Sequence, residues 1–193
     1  ASSIAQANRI GGFDFYLALH SNAAAPANAG NVRGILAFYY PGSAEGQRAA
    51  ELFVSNLKRI YPLPDLVRAA FTTTLGEVRQ PRYPANLLEL GYHDNYADAA
   101  WVENNRDAIA RELARSLTEY FGLPFIEPQP VVQGMVATNG SPLRLRSYPS
   151  AAGQTIVLMP NGAAVTVYGT WQGWNVVGYN GNVGYAAEAY IES

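Results

Sequence analysis

The chain contains no cysteine, only two histidines and a single lysine. The absence of cysteine excludes disulfide bonds and thiolate metal ligands, although it does not separate a reducing compartment from an extracellular one. With a net charge of −2, the chain also has no basic field with which to hold nucleic acid. No apolar run reaches the roughly 18 residues of a membrane span, and no charged segment followed by an apolar one marks a signal peptide.

What is present describes a globular chain with a sizeable core. Hydrophobic residues make up 49% and charged residues 15% of the 193 positions. At roughly 100 to 200 residues per domain, this length fits one large domain or one medium and one small domain. We favour two, because PFIEPQP at 124–130 contains three prolines and reads as a stiff linker. The first residues, ASSIAQANR, have the pattern of the middle or end of a helix, so we expect a segment before Ala1.

The part before the linker alternates strand and helix patterns. Nearly continuous apolar runs at 13–19, 34–40 and 86–92 predict strands that are covered on both faces. Apolar residues at helical spacing predict helices over 44–61 and 97–121. This order predicts an α/β layer in which helices flank a sheet.

The part after the linker consists of short alternating segments separated by turn signals such as NG and PNG. It predicts a small all-β barrel. The six predicted strands lie at 134–138, 143–147, 155–159, 164–169, 174–179 and 183–187. Its aromatic residues alternate as barrel-core residues do, although some can line a groove for peptide. They are Tyr168, Trp171, Trp174, Tyr179 and Tyr185.

Two residues stand out as candidates for chemistry, His20 and Glu89. His20 ends the apolar run FYLAL, and a lone histidine in such a place is most often structural. Glu89 interrupts the apolar segment NLLELGY, and a buried carboxylate is costly unless it is paired or binds a metal. A salt bridge to Arg79 or Arg82 is the alternative explanation for Glu89. If the two strands are neighbours, His20 and Glu89 lie at the sheet edge where α/β folds place their ligands.

The other polar residues near these strands have simpler interpretations. We expect His93 to have a surface or hydrogen-bonding role, and Asp94 and Asn95 to cap the next helix. Ser21 has no acid or histidine at a spacing that marks a nucleophile.

Two stretches resemble the zinc-dependent N-acetylmuramoyl-L-alanine amidases. ANRIGGFDFYLALHSNAA is similar to the family segment in which a strand ends in a metal-binding histidine and a small-residue loop follows. YPANLLELGYHDNYADAAWV resembles the later family motif, in which Pro-Ala precedes a strand that carries the catalytic glutamate. The resemblance covers residues 1 to about 122.

This resemblance implies specific roles for the two candidates. His20 matches a Zn²⁺ ligand, and Glu89 matches the general acid and base. The family's other two ligands, a histidine after the first strand and a glutamate that opens the first helix, belong to a region that we expect before Ala1. The implied architecture is a partial amidase domain at 1–125, whose α/β sheet lacks its N-terminal part, followed by a linker at 126–130.

Residues 131–193 are similar along their whole length to bacterial SH3-like domains. The motifs LRLRSYPS, PNGAAVTV, GW and GYAA occur in the order found in that family. Such modules commonly accompany wall hydrolases and hold them on peptidoglycan. The resemblance therefore implies a peptidoglycan partner, with Trp171 and Trp174 as candidate ligand-binding residues.

Two functions follow as hypotheses. The first is a secreted autolysin, extracellular or wall-bound, that cleaves the amide between N-acetylmuramic acid and L-alanine. The alternative is an inactive wall-binding protein whose amidase-like domain lacks its metal. The sequence leaves open the oligomeric state and the preferred stem peptide.

Overall fold

A computed structural model describes residues 2–193 of the chain, which divides into two compact units. The N-terminal unit is Ala1–Gly122 and the C-terminal unit is Leu123–Ser193. Across the residues described, no helix combines the length and the apolar character that crossing a membrane requires.

A mixed four-stranded sheet forms the centre of the N-terminal unit. Its strands are β1 (Tyr16–Asn22), β2 (Ile35–Tyr39), β3 (Val67–Phe71) and β4 (Ala85–Tyr92). The strands lie in the order β1-β4-β2-β3. The β1–β4 and β2–β3 pairs are parallel, whereas β2 and β4 are antiparallel. The strands of the two predicted motifs, β1 and β4, are therefore neighbours.

Five helices accompany this sheet, and side-chain caps fix the start of three of them. The helices are α1 (Ser3–Ile10), α2 (Ala44–Leu57), α3 (Gly76–Arg79), α4 (Tyr96–Asn104) and α5 (Arg106–Phe121). The side chains of Ser2, Ser43 and Asn95 accept hydrogen bonds from backbone N–H groups in the first turns of α1, α2 and α4. The cap by Asn95 confirms the expectation for that residue.

The larger core of this unit lies between the sheet and helices α2 and α5. Phe53 and Leu57 on α2 are almost fully buried against Leu88 of β4 and against Ile109 and Leu113 of α5. A smaller cluster covers the opposite face, where Val78 of α3 packs on Ala18 and Leu87. Both faces of the sheet are therefore covered, which explains the nearly continuous apolar runs in the sequence.

Several predicted element bounds are wrong. The helix predicted over 97–121 is two helices, because Asn105 leaves the helical conformation (φ −125°, ψ 22°) and its side chain bonds the Trp101 carbonyl. The strand predicted at 13–19 begins at Tyr16 and runs to Asn22, and the helix predicted to residue 61 ends at Leu57. The short strand β3 and helix α3 were not predicted.

The C-terminal unit is an antiparallel all-β structure, which confirms the predicted fold class of this part. Its strands lie in the order β11-β5-β8-β9-β10-β6-β7. They are β5 (Val132–Val136), β6 (Leu143–Arg146), β7 (Thr155–Met159), β8 (Ala164–Trp171), β9 (Trp174–Tyr179), β10 (Asn182–Ala187) and β11 (Ile191–Glu192).

The prediction that most of the five aromatic residues belong to the core of this barrel is wrong, although Tyr179 is partly buried and packs against it. The buried cluster of the barrel is aliphatic and includes Leu145, Met159 and Val177, each fully buried. Tyr168 is 43% exposed, because it alternates with the buried residues Val165 and Val167 and points away from them.

The most densely bonded polar group of the N-terminal unit is the fully buried carboxylate of Asp98 on α4. Its Oδ1 accepts hydrogen bonds from Tyr61 Oη (2.6 Å) and Arg33 Nε (2.8 Å), and its Oδ2 accepts from the backbone N–H groups of Gly34 (3.0 Å) and Tyr92 (3.1 Å). Burial alone raises the pKa of Asp98, but these four hydrogen bonds outweigh it and hold the pKa below its ordinary value.

We expect Asp98→Ala to lower the free energy of unfolding by about 3–5 kcal/mol, because the substitution leaves Arg33 and two backbone donors without their acceptor. Urea unfolding measures the change, with exposed Asp14→Ala as the matched control. Since the pKa of Asp98 is depressed in the folded state, its contribution is present at neutral pH and is lost as the pH falls through that folded-state value. Equal stability of the two variants at neutral pH would contradict this role.

Candidate active site

Strand pairing brings His20 and Glu89 side by side. The parallel register of β1 and β4 makes His20 the partner of Glu89. Because side chains alternate along a strand, His20 shares its face with Ala18, and Glu89 shares its face with Leu87. Ala18 and Leu87 both belong to the smaller cluster under α3. The two candidates therefore project from one face of the sheet, as expected for a shared site.

Helix α3 adds a third residue, Glu77, which the sequence analysis did not identify. Val78 of α3 packs on the sheet, and this contact brings the preceding Glu77 over β1. Glu77 Oε2 lies 2.9 Å from His20 Nε2. The only sequence signal was a carboxylate in the segment TLGEVRQP, which contains no helical period long enough to place it.

The Glu89 carboxylate is the polar group with the least satisfied environment at this site. Its Oε2 is buried and has no hydrogen-bond partner among residues 2–193. Burial raises the pKa of Glu89, while the nearby imidazoles of His20 and His93 oppose this rise and Glu77 adds to it. Neither Arg79 nor Arg82 forms an ion pair with Glu89 in the described part of the chain, so the salt-bridge alternative is wrong.

His93 lies at the same edge of the sheet, beyond the end of β4. Its Nδ1 is 3.1 Å from Ser21 Oγ, and its backbone N–H donates to the carbonyl of Asn22. His93 is exposed and makes a hydrogen bond, as expected. Its proximity to Glu89 was not expected. Between the two residues, Gly91 adopts φ +100°, a conformation in which a side chain would be strained.

Asp94 orders the loop that follows β1 and does not act as the helix cap. Its carboxylate accepts hydrogen bonds from the backbone N–H groups of Ala24 and Gly30. The bond from Gly30 is the main cause that lowers the pKa of Asp94. The loop is thereby tied to the segment that carries His93.

The site does not contain a complete metal-ligand set within the described residues. Between Ser2 and Ser193, no three His, Cys, Asp or Glu side chains are placed to hold a metal ion. His20 is exposed and presents one imidazole, whose Nε2 already contacts Glu77. A catalytic zinc ion usually takes three protein ligands, so these residues do not by themselves fit one.

The C-terminal unit contains a separate cleft of about 520 Å³. Trp174 lines this cleft, and Trp171, its partner in the β8–β9 hairpin, is not among the lining residues. The structure thus distinguishes the two tryptophans that the sequence analysis grouped together.

Comparison with known families and structures accounts for both units. The family model described as N-acetylmuramoyl-L-alanine amidase matches residues 2–119, and the model described as bacterial SH3 domain matches residues 141–192. A search among curated proteins found no match.

Three solved structures share the fold of the N-terminal unit at low sequence identity. The catalytic domain of an endolysin targeting Clostridia difficile is 22% identical with a TM-score of 0.52, and 61% of this chain and 60% of that one are covered. An N-acetylmuramoyl-L-alanine amidase from Clostridium difficile 630 is 20% identical, with a TM-score of 0.50 and coverage of 62% and 63%. An N-acetylmuramyl-L-alanine amidase from Mycobacterium smegmatis is 17% identical, with a TM-score of 0.50 and coverage of 62% and 58%.

The chain thus spans about three fifths of the length of these solved proteins. The amidase model, however, matches more than half of the chain and includes both His20 and Glu89. The chain therefore belongs to the N-acetylmuramoyl-L-alanine amidase family, and a bacterial SH3 domain follows its amidase region.

Proposed function

We propose that the chain is a peptidoglycan hydrolase that cleaves the amide between the lactyl group of N-acetylmuramic acid and L-alanine. One observation supports this most directly. Within a region that matches the amidase family, Glu89 keeps a buried carboxylate oxygen without a partner and faces His20 across paired strands. An unpaired buried carboxylate costs stability, so a functional role explains it better than a structural one.

Glu89 is the group that moves the proton in this reaction. It accepts a proton from the attacking water, whose oxygen forms a bond to the amide carbon. It then gives that proton to the leaving nitrogen of L-alanine as the carbon–nitrogen bond breaks. Burial raises the pKa of Glu89 toward the working pH. A group whose pKa is near the working pH can serve both as the base and as the acid.

His20 is our proposed zinc ligand. Members of this family are generally zinc-dependent, and zinc in such enzymes polarises the amide carbonyl and acidifies a bound water. Because residues 2–193 do not complete a three-ligand set, we assign no step of the reaction to the metal. Glu77, at 2.9 Å from His20 Nε2, holds this imidazole in place.

The bacterial SH3 domain is the proposed anchor to the wall, with Trp171 and Trp174 as ligand-binding residues. A wall substrate places the protein outside the cell or in the cell wall. The family match and the unpartnered Glu89 carboxylate favour the enzyme over the inactive wall-binding protein.

We expect Glu89→Gln to keep the fold and to lower the rate of amide cleavage by about 10²–10⁴-fold, because only the proton acceptor is lost. Release of stem peptide from purified wall material measures the rate, and circular dichroism checks the fold. Glu51→Gln, an exposed change on α2, is the matched control. Hydrolysis by Glu89→Gln at the parent rate would show that Glu89 is structural.

For the metal, we expect His20→Ala to lower the amount of zinc that the protein retains, because the imidazole is the proposed ligand. Elemental analysis after dialysis measures the zinc content. His93→Ala is the control and is expected to keep the metal, since His93 bonds Ser21 instead. Zinc retained equally by the parent protein and by His20→Ala would contradict the assignment of His20.

For the anchor, we expect residues 131–193 to fold alone and to sediment with insoluble peptidoglycan. The aliphatic cluster of this unit gives it a core of its own, although a domain of this size is only marginally stable. Circular dichroism tests the fold, and a pelleting assay tests binding. A folded segment that stays in the supernatant with walls from several bacteria would refute the anchoring role.

A further inference from the structure

The cleft of the C-terminal unit has a distinctive chemical lining. It lies beside strand β6, and it is closed by the loop before β6 and by residues at the ends of β9 and β10. Its walls combine two arginines, two aromatic residues and small or polar residues. The residues that line it include Thr138, Pro142, Arg144, Arg146, Trp174 and Tyr190.

Charge in this unit is segregated toward the cleft. Arg144 and Arg146 are the only lysine or arginine side chains in Leu123–Ser193, and both line the cleft. The carboxylate side chains of the unit belong to Glu127, Glu188 and Glu192, and none of them lines it. Although the unit has more acidic than basic side chains, the charged side chains that line this cleft are therefore all basic.

Strand alternation explains how the two arginines reach the cleft together. In LRLR, Leu143 and Leu145 are buried in the barrel core, so Arg144 and Arg146 project from the opposite face of β6. Two residues along a strand correspond to roughly 6.8 Å, which lets both guanidinium groups approach one ligand.

The two arginines differ in their bonding. Arg146 Nη1 donates a hydrogen bond of 2.7 Å to the carbonyl of Gly153, which holds the side chain in place. Arg144 is exposed, and across the described residues it has neither an ion pair nor a side-chain hydrogen bond. Arg144 is thus the cation that is free to pair with a ligand.

The aromatic residues supply the apolar part of the cleft. Trp174 is half-buried and Tyr190 is 48% exposed, so both offer ring surface beside the arginines. Such a combination suits a peptide, whose apolar groups contact rings while a carboxylate meets an arginine. A uniformly anionic polymer would not need the aromatic surface.

We propose that this cleft binds the peptide stem of peptidoglycan through a carboxylate of that stem, with Arg144 as its ionic partner and Trp174 and Tyr190 as its apolar contacts. The inference rests on the proposed wall-binding function and specifies the chemical group that the domain recognises. The side chain of Arg146, which is held by its hydrogen bond to the Gly153 carbonyl, forms a fixed part of the cleft wall and adds to its positive charge.

The test uses the full chain and two soluble synthetic stem peptides, one with free carboxylates and one with every carboxylate amidated. Titration followed by tryptophan fluorescence or by the indole resonances gives the affinities. We expect the amidated peptide to bind about tenfold more weakly, since charge-assisted bonds to arginine are among the stronger polar contacts. Arg144→Gln should weaken binding of the free peptide about tenfold and remove the difference between the two peptides.

Two controls make the outcome specific. Arg59→Gln removes the same charge from an exposed site in the N-terminal unit and should leave binding unchanged. Poly(glycerol phosphate) tests the other anionic chemistry of walls. Equal affinities for the two peptides, unchanged binding by Arg144→Gln, or displacement of the peptide by poly(glycerol phosphate) at equivalent charge would overturn the proposal.

A wall-pelleting assay, combined with the peptide titration, separates this inference from the anchoring role. If walls pellet the parent protein and Arg144→Gln equally, anchoring stands and the assignment of the cleft is wrong. If the free peptide binds in an Arg144-dependent way but walls do not pellet the protein, the cleft assignment stands and anchoring is wrong.

Discussion

The buried carboxylate of Asp98 is the interaction on which the N-terminal unit depends. It joins helix α4 to the loop before β2, to Tyr61 after α2 and to Tyr92 at the end of β4. Gly91 permits this approach, because a Cβ atom there would lie 3.3 Å from Asp98 Cβ. A single ionised group thus fixes the loop before β2 and the segment after α2 to the neighbouring ends of β4 and α4.

The hydrogen bonds of Asp98 also help to hold the candidate active site in place. Tyr92, which donates to Asp98, lies three positions after Glu89, so the bond holds the end of the strand that carries the proposed catalytic carboxylate. Asp94 fixes the loop that follows His20 from the other side. Asp98 and Asp94 thus use both carboxylate oxygens in hydrogen bonds that hold segments next to the site, while Glu89 keeps an oxygen without a partner.

Much of the fold followed from the sequence because long apolar patterns reflect burial on both faces of a sheet. Strands β1, β2 and β4 were predicted on this basis, and the pairing of His20 with Glu89 follows from their being neighbours. Strand β3 was missed because VRAAF is short and lacks a continuous apolar run. The break at Asn105 was missed because the apolar spacing continues through it, and only the backbone conformation reveals it.

The less predictable parts of the two sites depend on tertiary contacts. Glu77 lies on a helix of four residues, too short for any periodic pattern, and it reaches His20 only because Val78 packs on the sheet. In the C-terminal unit, the alternation in LRLR predicted a strand but not which face borders a cleft. The aromatic residues gave a misleading signal there, since the fully buried side chains of the barrel are not aromatic and only Tyr179 of the five packs against them.

The pairing of β1 with β4 also sets the order in which the protein can mature during synthesis. The contact between Ser21 and His93 joins residues 72 positions apart, and β2, α2, β3 and α3 are all made between them. At roughly 5–20 residues per second, β1 leaves the ribosome several seconds before its partner strand exists. During that interval the backbone groups of β1 that later pair with β4 lack those partners, which is the condition in which nascent strands associate wrongly. The strand that carries His20 is therefore a segment of the nascent chain that needs protection until β4 is made.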